Sequence, residues 1–222
     1  MDAIKRLPTL FIPHGGGPCF FIDPPPNDPH MWDGLAKYLR GIDASLGARP
    51  KAVLVISGHW EMELPTVNIA ERPKLLFDYY GFPEHTYRLK YPVVGAPDLE
   101  PRVRALLVEA GFELGVESKR GLDHGVFVPF LLIYPQADLP IMQLSLQQSL
   151  DPAMHIAIGR ALAPLRERGV LIVGSGMSYH NLAATFSGRG AEGARRHQVL
   201  WGYSSFRRAP HLQCGGGRGR AD

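Results

Sequence analysis

The chain has 222 residues, 45% of them hydrophobic, which is enough apolar material for one sizeable core. The net charge is only +3, and no basic stripe with interleaved aromatic residues precedes the last part of the chain, so we expect no nucleic-acid partner. Cys19 and Cys214 lie far apart and fit reduced thiols. The apolar stretch near the N-terminus is too short for a signal peptide or a membrane span, so we expect a cytoplasmic protein with no membrane partner.

The first half of the chain alternates strands with helices. Apolar runs over residues 10–12 and 52–56 predict strands that are buried on both faces. Between them, Asn27-Asp28-Pro29 is a typical helix start. A third strand is predicted over residues 66–70. Residues 71–97 are rich in Pro, Gly and aromatic side chains and show no period, which is typical of a functional or flexible loop.

The second half continues the alternation. Asp98 is expected to cap a helix that Gly111 ends, and Asp151-Pro152 is expected to start another that Gly169 ends. Further strands are predicted over residues 112–116, 141–146 and 170–173. The pattern predicts a single α/β domain with a mainly parallel central sheet flanked by helices.

The last part of the chain differs in kind. From about residue 187 it is crowded with Gly and Arg, and its apolar residues keep neither helical nor strand spacing. A segment of this composition cannot bury enough apolar surface to offset its ordering entropy. We therefore expect one folded domain over residues 1–186 and an irregular tail over residues 187–222 that contributes little to the core.

Three histidines come after apolar runs. His14 and His59 follow the first two predicted strands, and His180 comes shortly after the last. Because the carboxyl ends of parallel strands meet at one edge of a sheet, we expect the three imidazoles to converge there. A lone histidine at a strand end more often completes the core edge, but matching histidines favour ligands. Imidazole binds Zn, Fe, Cu or Ni, so the pattern predicts a transition-metal centre.

Other features of these motifs narrow the chemistry. The glycines after His14 allow a sharp turn, and the Gly-x-x-x-x-Gly-Lys pattern of a phosphate loop is absent. His124 lies in an Asp-His-Gly turn and is a candidate for acid–base catalysis, the alternative being a capping turn around Asp123. His180 could bind the metal or carry a proton. Gly174-Ser175-Gly176 is only a fragment of the nucleophile elbow that a serine hydrolase needs.

Several separated motifs occur in a fixed order along the chain. They are Pro13-His14-Gly15, Ser57-Gly58-His59-Trp60, Asp78-Tyr79-Tyr80-Gly81-Phe82-Pro83, Leu122-Asp123-His124-Gly125, Tyr134-Pro135-Gln136-Ala137-Asp138-Leu139-Pro140, and Gly174-Ser175-Gly176 with His180-Asn181-Leu182. In this order they resemble the class III extradiol ring-cleavage dioxygenases, in particular the DOPA 4,5-dioxygenase-like branch, over about residues 7–186.

The resemblance implies a chemistry and a set of residues. It implies one mononuclear non-haem Fe(II) site, often found holding Zn(II) in this branch, bound by His14 and His59. His180 matches a histidine assigned to the metal or to acid–base catalysis, and His124 matches one assigned to acid–base catalysis. The implied substrates are O2 and a catechol-type, DOPA-like compound whose ring is cut next to the two hydroxyls.

The resemblance ends before the chain does. Members of this branch continue through another helix and a late segment that contains Glu and His and supplies a further metal ligand. The Gly/Arg-rich tail stands in that place here, so we expect a truncated or frameshifted C-terminal part, and His211 is not assigned as the missing ligand.

Two other functions fit the same histidines. One is a zinc-dependent hydrolase, since zinc with three protein ligands and a water is a common hydrolytic site. The other is an inactive truncated remnant that still binds metal. Oxygen uptake with catechols separates the dioxygenase from the hydrolase, because a hydrolase consumes no oxygen. The particular substrate, the physiological metal and the oligomeric state are left open by the sequence.

Overall fold

A computed structural model describes residues 6–177. This part of the chain contains six strands, which are β1 (Thr9–Pro13), β2 (Ala52–Met62), β3 (Thr66–Asn68), β4 (Gly115–Glu117), β5 (Ile141–Gln147) and β6 (Val170–Gly176). Its α-helices are α1 (Asp33–Ser45), α2 (Glu100–Glu109), α3 (His124–Ile133) and α4 (Pro152–Leu162). The strands form one sheet in the order β1-β6-β2-β5-β3-β4.

The sheet is mainly parallel. The pairs β1–β6, β6–β2 and β2–β5 are all parallel, whereas β3 meets β5 in the antiparallel sense at Val67 and Leu144, and β4 is parallel to β3. A parallel sheet has to be covered on both faces, because its strands are apolar on both sides. The predicted fold class, an α/β domain with a mainly parallel sheet flanked by helices, is confirmed.

Two apolar clusters cover the sheet. Along β2, Val53 and Val55 belong to the cluster that contains the buried residues of α1 and α3. The intervening Leu54 belongs to the cluster that contains those of α2 and α4. This alternation follows from the period of two in a strand, which sends successive side chains to opposite faces. The carboxyl ends of β1, β2 and β6 therefore lie at the edge of a rigid, doubly covered sheet.

The helix starts agree with the sequence in one place and differ in two. The Asp151 side chain accepts hydrogen bonds from the first turn of α4. The helix ends at Leu162 rather than at Gly169, because a 3₁₀ turn over Ala163–Arg168 follows it, and Gly169 ends that turn with a φ of 82°. α1 begins at Asp33 rather than near Asp28-Pro29, because the segment before it makes successive tight turns. Asp98 lies inside a 3₁₀ turn, and α2 begins at Glu100 without a side-chain cap.

The strand bounds also differ from the predicted ones. β2 runs on past residue 56 to Met62, and β3 stops at Asn68, whose side chain accepts a hydrogen bond from the Ala70 amide. The strand predicted over residues 112–116 starts only at Gly115, since the Phe112 amide still closes the end of α2. None of these shifts changes the order of the elements.

The helix α3 was not predicted. It carries His124 at its first position, and eight of its ten residues are buried. A helix that is apolar on every side has no amphipathic period, so the sequence pattern shows only an apolar run. The long loop over residues 71–97, which we call the aromatic loop, is well packed, because Tyr79 and Tyr91 belong to the apolar core.

Some sequence predictions fall elsewhere. His180 and the boundary between residues 186 and 187 lie outside the described residues, as does the whole tail. Between residues 6 and 177, no helix is both long enough and apolar enough to cross a membrane.

Candidate metal centre

Three histidines meet at the carboxyl edge of the sheet. His14 follows β1, His59 lies within β2, and His124 opens α3. One ring nitrogen from each can be chosen so that all three lie within 4.8 Å of one another, and the Nε2 atoms of His14 and His59 are 3.0 Å apart. The ring centroids of His59 and His124 are 4.1 Å apart. His14 and His124 are buried and His59 is half-buried, so the cluster is partly shielded from water.

The turn after β1 presents the His14 ring. Gly15 and Gly17 both have positive φ values, 79° and 53°, as expected for the sharp turn predicted from the glycine run. A Cβ at Gly15 would lie 2.3 Å from the Cys19 sulfur, so the turn also needs the absence of a side chain. Burial raises the pKa of the Cys19 thiol to about 12, which keeps the thiol protonated beside the cluster.

A bulge in β2 presents the His59 ring. The pairing with β5 joins Ile56 to Leu144 and resumes at Glu61 with Leu146, so residues 57–60 stand opposite Ser145 alone. The His59 amide donates to the Ser57 hydroxyl at 3.2 Å. A β-bulge of this kind redirects a side chain out of the regular ladder.

Arg120 supports the other side of the His59 peptide. Its Nη2 donates to the His59 carbonyl oxygen at 3.1 Å, and its guanidinium lies 5.0 Å from the centre of the Trp60 ring. The same Nη2 lies 3.2 Å from the Asp123 carboxylate. Side chains therefore satisfy both the N–H and the C=O of the residue that presents this imidazole.

Two paired serines position the first turn of α3. Ser57 of β2 and Ser175 of β6 are directly opposite each other in the parallel ladder. The Ser57 hydroxyl donates to the Asp123 carboxylate at 2.6 Å, and the Ser175 hydroxyl donates to the Gly125 carbonyl. The backbone on both sides of His124 is therefore attached to the sheet edge that carries the other two histidines.

The Asp123 carboxylate is fully occupied by structural contacts. It is 0% exposed and also accepts hydrogen bonds from the amide of Gln143 and the guanidinium of Arg120. A buried charge needs partners of this kind, because an unpaired one is expensive in a low-dielectric interior. The alternative reading of the Asp-His-Gly turn, in which Asp123 caps the helix, is only partly correct: Asp123 is the residue before the helix, but its side chain bonds other side chains.

The hydrogen bonds of His14 indicate where its proton lies. The Ser175 hydroxyl gives its hydrogen to Gly125, so its oxygen is left to accept from the Nδ1–H of His14, at 3.0 Å. The Nε2 of His14 then carries a lone pair and faces the Nε2 of His59. A histidine with Nδ1–H bonded to a fixed acceptor is the usual arrangement of a metal-ligating imidazole.

Asp78 of the aromatic loop is a further residue of the site. Its Oδ1 accepts from the backbone N–H of His124 at 2.9 Å and faces the Nδ1 of the same residue at 2.8 Å. Its Oδ2 is 3.6 Å from the Nδ1 of His59. Partial burial acts to raise the pKa of Asp78, but the hydrogen bonds and charge of His124, with the charge of His59, together lower it below its usual value.

Sequence reasoning did not identify Asp78 as a site residue. It stands in a quoted motif, yet the surrounding loop has no period that would place the carboxylate near the sheet edge. One feature of the sequence could have indicated it. Asp78 is an acidic residue between aromatic residues, and a metal-binding or catalytic histidine usually donates a hydrogen bond to such a carboxylate.

An aromatic wall closes one side of the cluster. The Tyr79 ring lies 5.9 Å from the His124 ring, and the Tyr79 hydroxyl donates to the Thr86 carbonyl at 2.8 Å, which fixes that ring. Neighbouring rings pack edge-on or tilted against Tyr79, and they are Phe77, Phe82, Tyr87 and Phe127. The His124 ring therefore lies against a group of packed aromatic rings.

The donor set fits a transition-metal ion. Two nitrogens that each lie about 2.1 Å from one ion are roughly 3.0 to 3.4 Å apart, depending on the angle between them. The Nε2 separation of 3.0 Å falls in that range. Ser175 and Asp78 face the Nδ1 atoms of His14 and His59, so the Nε2 atoms of both rings can serve as metal donors.

The structure thus brings together three of the four predicted site residues. His14, His59 and His124 share the cluster, whereas His180 lies outside the described residues. The motif of His124 was expected to be separate from the strand-end set. It does belong to a different element, but its ring lies among the others.

Comparisons with known proteins agree with this geometry. Residues 8–196 match the family described as the catalytic LigB subunit of aromatic ring-opening dioxygenase. A 4,5-DOPA dioxygenase extradiol of Beta vulgaris is 42% identical over 180 residues, which are 81% of this chain and 64% of that protein. A 4,5-DOPA dioxygenase extradiol-like protein of Schizosaccharomyces pombe is 31% identical over 213 residues, covering 88% of this chain and 70% of that protein.

A solved structure has a fold similar to that of this chain. The crystal structure of an uncharacterized protein of Escherichia coli K12 superimposes with a TM-score of 0.56 at 32% identity, over 68% of this chain and 55% of that chain. In its sheet, its histidine cluster and its sequence, the chain is similar to the class III extradiol dioxygenases of the DOPA dioxygenase-like kind. The chain belongs to the LigB family, and it spans 64% of the length of its beet relative.

Proposed function

We propose that this chain is a non-haem, metal-dependent extradiol dioxygenase that opens the ring of a catechol-type, DOPA-like substrate with O2 in the cytoplasm. The observation that carries the proposal is the pair of Nε2 atoms 3.0 Å apart, with a third imidazole and its carboxylate partner beside them. One Fe(II) or Zn(II) ion per chain fits this donor set. Bound Fe(II) would supply the open coordination positions that oxygen chemistry on a chelated catechol requires.

His14 and His59 are proposed as the metal ligands. Both present Nε2 towards the same point, and both have an acceptor facing Nδ1. His180 is proposed as a further ligand or as an acid–base residue, on the basis of its motif alone.

His124 is proposed to move protons. Its Nδ1 is engaged by Asp78, so Nε2 is the nitrogen that can accept a proton from a substrate hydroxyl and return it later in the reaction. The adjacent carboxylate stabilises the imidazolium that this transfer creates. The aromatic wall is proposed to pack against the substrate ring and to exclude water on that side.

The division of the chain is also a proposal. We propose a catalytic domain over residues 1–186 and a tail over residues 187–222 that adds little to the core. Limited trypsin digestion should remove the arginine-rich tail first and leave a resistant fragment that ends near residue 186. A tail that resisted digestion as long as the domain would contradict this division.

The experiment that tests the function combines metal content with oxygen uptake. The chain would be loaded anaerobically with Fe(II), and oxygen consumption would be followed with catechol and 3,4-dihydroxyphenylalanine. His14→Ala and His59→Ala should lose stoichiometric metal, whereas His124→Ala should keep the metal and lose turnover. His30→Ala is the matched control, since that histidine is exposed and only pairs with Asp33.

Each outcome of this experiment has a defined meaning. Wild-type metal content in both His14→Ala and His59→Ala would place the site elsewhere. Metal binding without oxygen uptake would favour the zinc hydrolase or the inactive remnant, and hydrolysis of test esters or amides by the zinc form would separate these two.

A further inference from the structure

We propose that Asp78 is a positioning residue that fixes the rings of both His124 and His59 with a proton on Nδ1, and so directs the Nε2 atoms of both rings into the cluster. The inference rests on the proposed function, because it assigns Asp78 a task in a metal and proton-transfer site. Asp78 lies 46 residues from His124 along the chain, so only the packing of the aromatic loop brings the two together.

The first argument is the double contact at one oxygen. The Oδ1 of Asp78 meets both the backbone N–H and the ring Nδ1 of His124, at 2.9 and 2.8 Å. Because Oδ1 accepts from both the ring and the backbone of His124, the ring cannot rotate about χ1 or χ2 without losing a hydrogen bond. An ionised carboxylate has no hydrogen to donate, so the ring nitrogen facing it must be the donor.

The second argument is the other oxygen of the same carboxylate. Oδ2 lies 3.6 Å from the Nδ1 of His59, and the rings of His59 and His124 are in contact. One negative charge thus faces the Nδ1 side of two imidazoles and favours the proton there in both. A proton on Nδ1 allows Nε2 to act as the ligand atom in His59 and as the base in His124.

A purely structural role must be separated from this one. Asp78 bonds the first backbone N–H of α3, so it could act only as a cap for that helix. A cap contributes to stability but has no effect on which ring nitrogen carries the proton. The protonated nitrogen of each histidine is therefore the measurement that decides between the two roles.

The test uses the full chain labelled with ¹⁵N-histidine, in the metal-free and zinc-loaded forms. Neutral histidines protonated on Nδ1 and on Nε2 have different ¹⁵N spectra, and His124→Gln and His59→Gln identify the two signals by their loss. Asp78→Ala removes both oxygens, and Asp78→Asn keeps one oxygen for His124. Glu84→Gln is the matched control, because Glu84 is an exposed acid on the same loop that pairs only with Arg88.

We expect the two variants to act on different rings. In Asp78→Ala, His124 should move from the Nδ1–H to the Nε2–H form, and zinc affinity measured against a chromophoric chelator should fall about 10–100-fold. In Asp78→Asn, the amide oxygen can still accept from His124, but the amide N–H₂ then faces His59, whose proton should leave Nδ1. Glu84→Gln should change neither signal nor affinity.

The outcomes separate the two proposals. An unchanged His124 signal in a folded Asp78→Ala variant overturns the positioning role and leaves Asp78 as a cap. If Asp78→Ala does not fold, Asp78→Asn decides, and an unchanged His59 signal there overturns the role. If wild type binds no zinc while the tautomers still respond to Asp78, positioning stands and the metal centre fails.

Discussion

The two sides of the histidine cluster are supported in different ways. His14 is bonded by Ser175, a buried residue of the neighbouring strand, whose place is set by the parallel ladder between β1 and β6. His124 is bonded by Asp78, a residue of an irregular loop whose side chain is 21% exposed. A ladder fixes position through many backbone hydrogen bonds, and a loop contact fixes it through one side chain. We therefore expect the sheet side to govern stability and the loop side to govern chemistry.

The largest stability effect is expected at Asp123, which attaches the turn before α3 to Ser57 of β2 and Gln143 of β5. Asp123→Ala leaves Arg120 and Gln143 without their buried acceptor, and the free energy of unfolding should fall by about 3 kcal/mol. Chemical denaturation followed by circular dichroism measures the change. Asp138→Ala is the control, since that aspartate also pairs with an arginine but is 51% exposed, and its loss should cost less than about 1 kcal/mol. Equal losses in both variants would show that burial is not what matters.

Gly125→Ala should disturb both sides at once. A Cβ there would lie 2.6 Å from the Ser57 hydroxyl and 3.0 Å from a carbon of the His59 ring. Overpacking of this kind costs about 1–3 kcal/mol, and zinc affinity should fall with the displaced ring. Gly159→Ala in α4 is the control, because a Cβ at that position meets nothing within 4 Å and alanine favours a helix. Unchanged zinc affinity in Gly125→Ala would mean that His59 adjusts without cost.

Ser175→Ala tests whether Ser175 matters less for zinc binding than Asp78 does. The variant removes the acceptor of His14 Nδ1 and the donor to Gly125, at a stability cost of about 1 kcal/mol. Because the ladder still holds the backbone up to Pro13, the residue before His14, we expect a smaller loss of zinc affinity than in Asp78→Ala. Chelator competition on both variants checks the order, and a larger loss in Ser175→Ala would reverse the roles of sheet and loop.

The smallest effect is expected at Cys19, which packs under the Gly15 turn. Its thiol pKa is raised to about 12 by burial, whereas an exposed thiol in the unfolded chain titrates near 9. The folded state therefore binds more protons above pH 9, and stability that is fully present below that pH is lost as the pH rises towards 12. Cys19→Ala should lose stability less steeply over this range in denaturation at several pH values. Parallel curves for both proteins would contradict the assignment.

The sequence predicted the parts of the site that follow buried strands. His14 and His59 were identifiable because a continuous apolar run that ends in Gly or Pro predicts the end of a parallel strand, and such ends share an edge. The bulge that turns His59 towards His14 depends on how β2 pairs with β5, which the sequence of β2 does not contain.

The loop side was far less predictable. α3 is apolar on all sides and lacks a period, and Asp78 reaches His124 only through the packing of several aromatic rings. Contacts between residues so far apart along the chain depend on tertiary structure, so no local pattern could have indicated them. The family motifs include these segments, but a motif does not indicate which residues are in contact in the fold.

The bulge in β2 also gives the candidate metal centre a local stability of its own. The Ser57 and Arg120 side chains bond the His59 amide and carbonyl, so we expect this part of β2 to open more easily than the regularly paired residues on either side. Opening of that kind exchanges an amide hydrogen at a free energy below that of global unfolding. We therefore expect the His59 amide hydrogen to exchange before those of the regularly paired strands, while the domain keeps its fold.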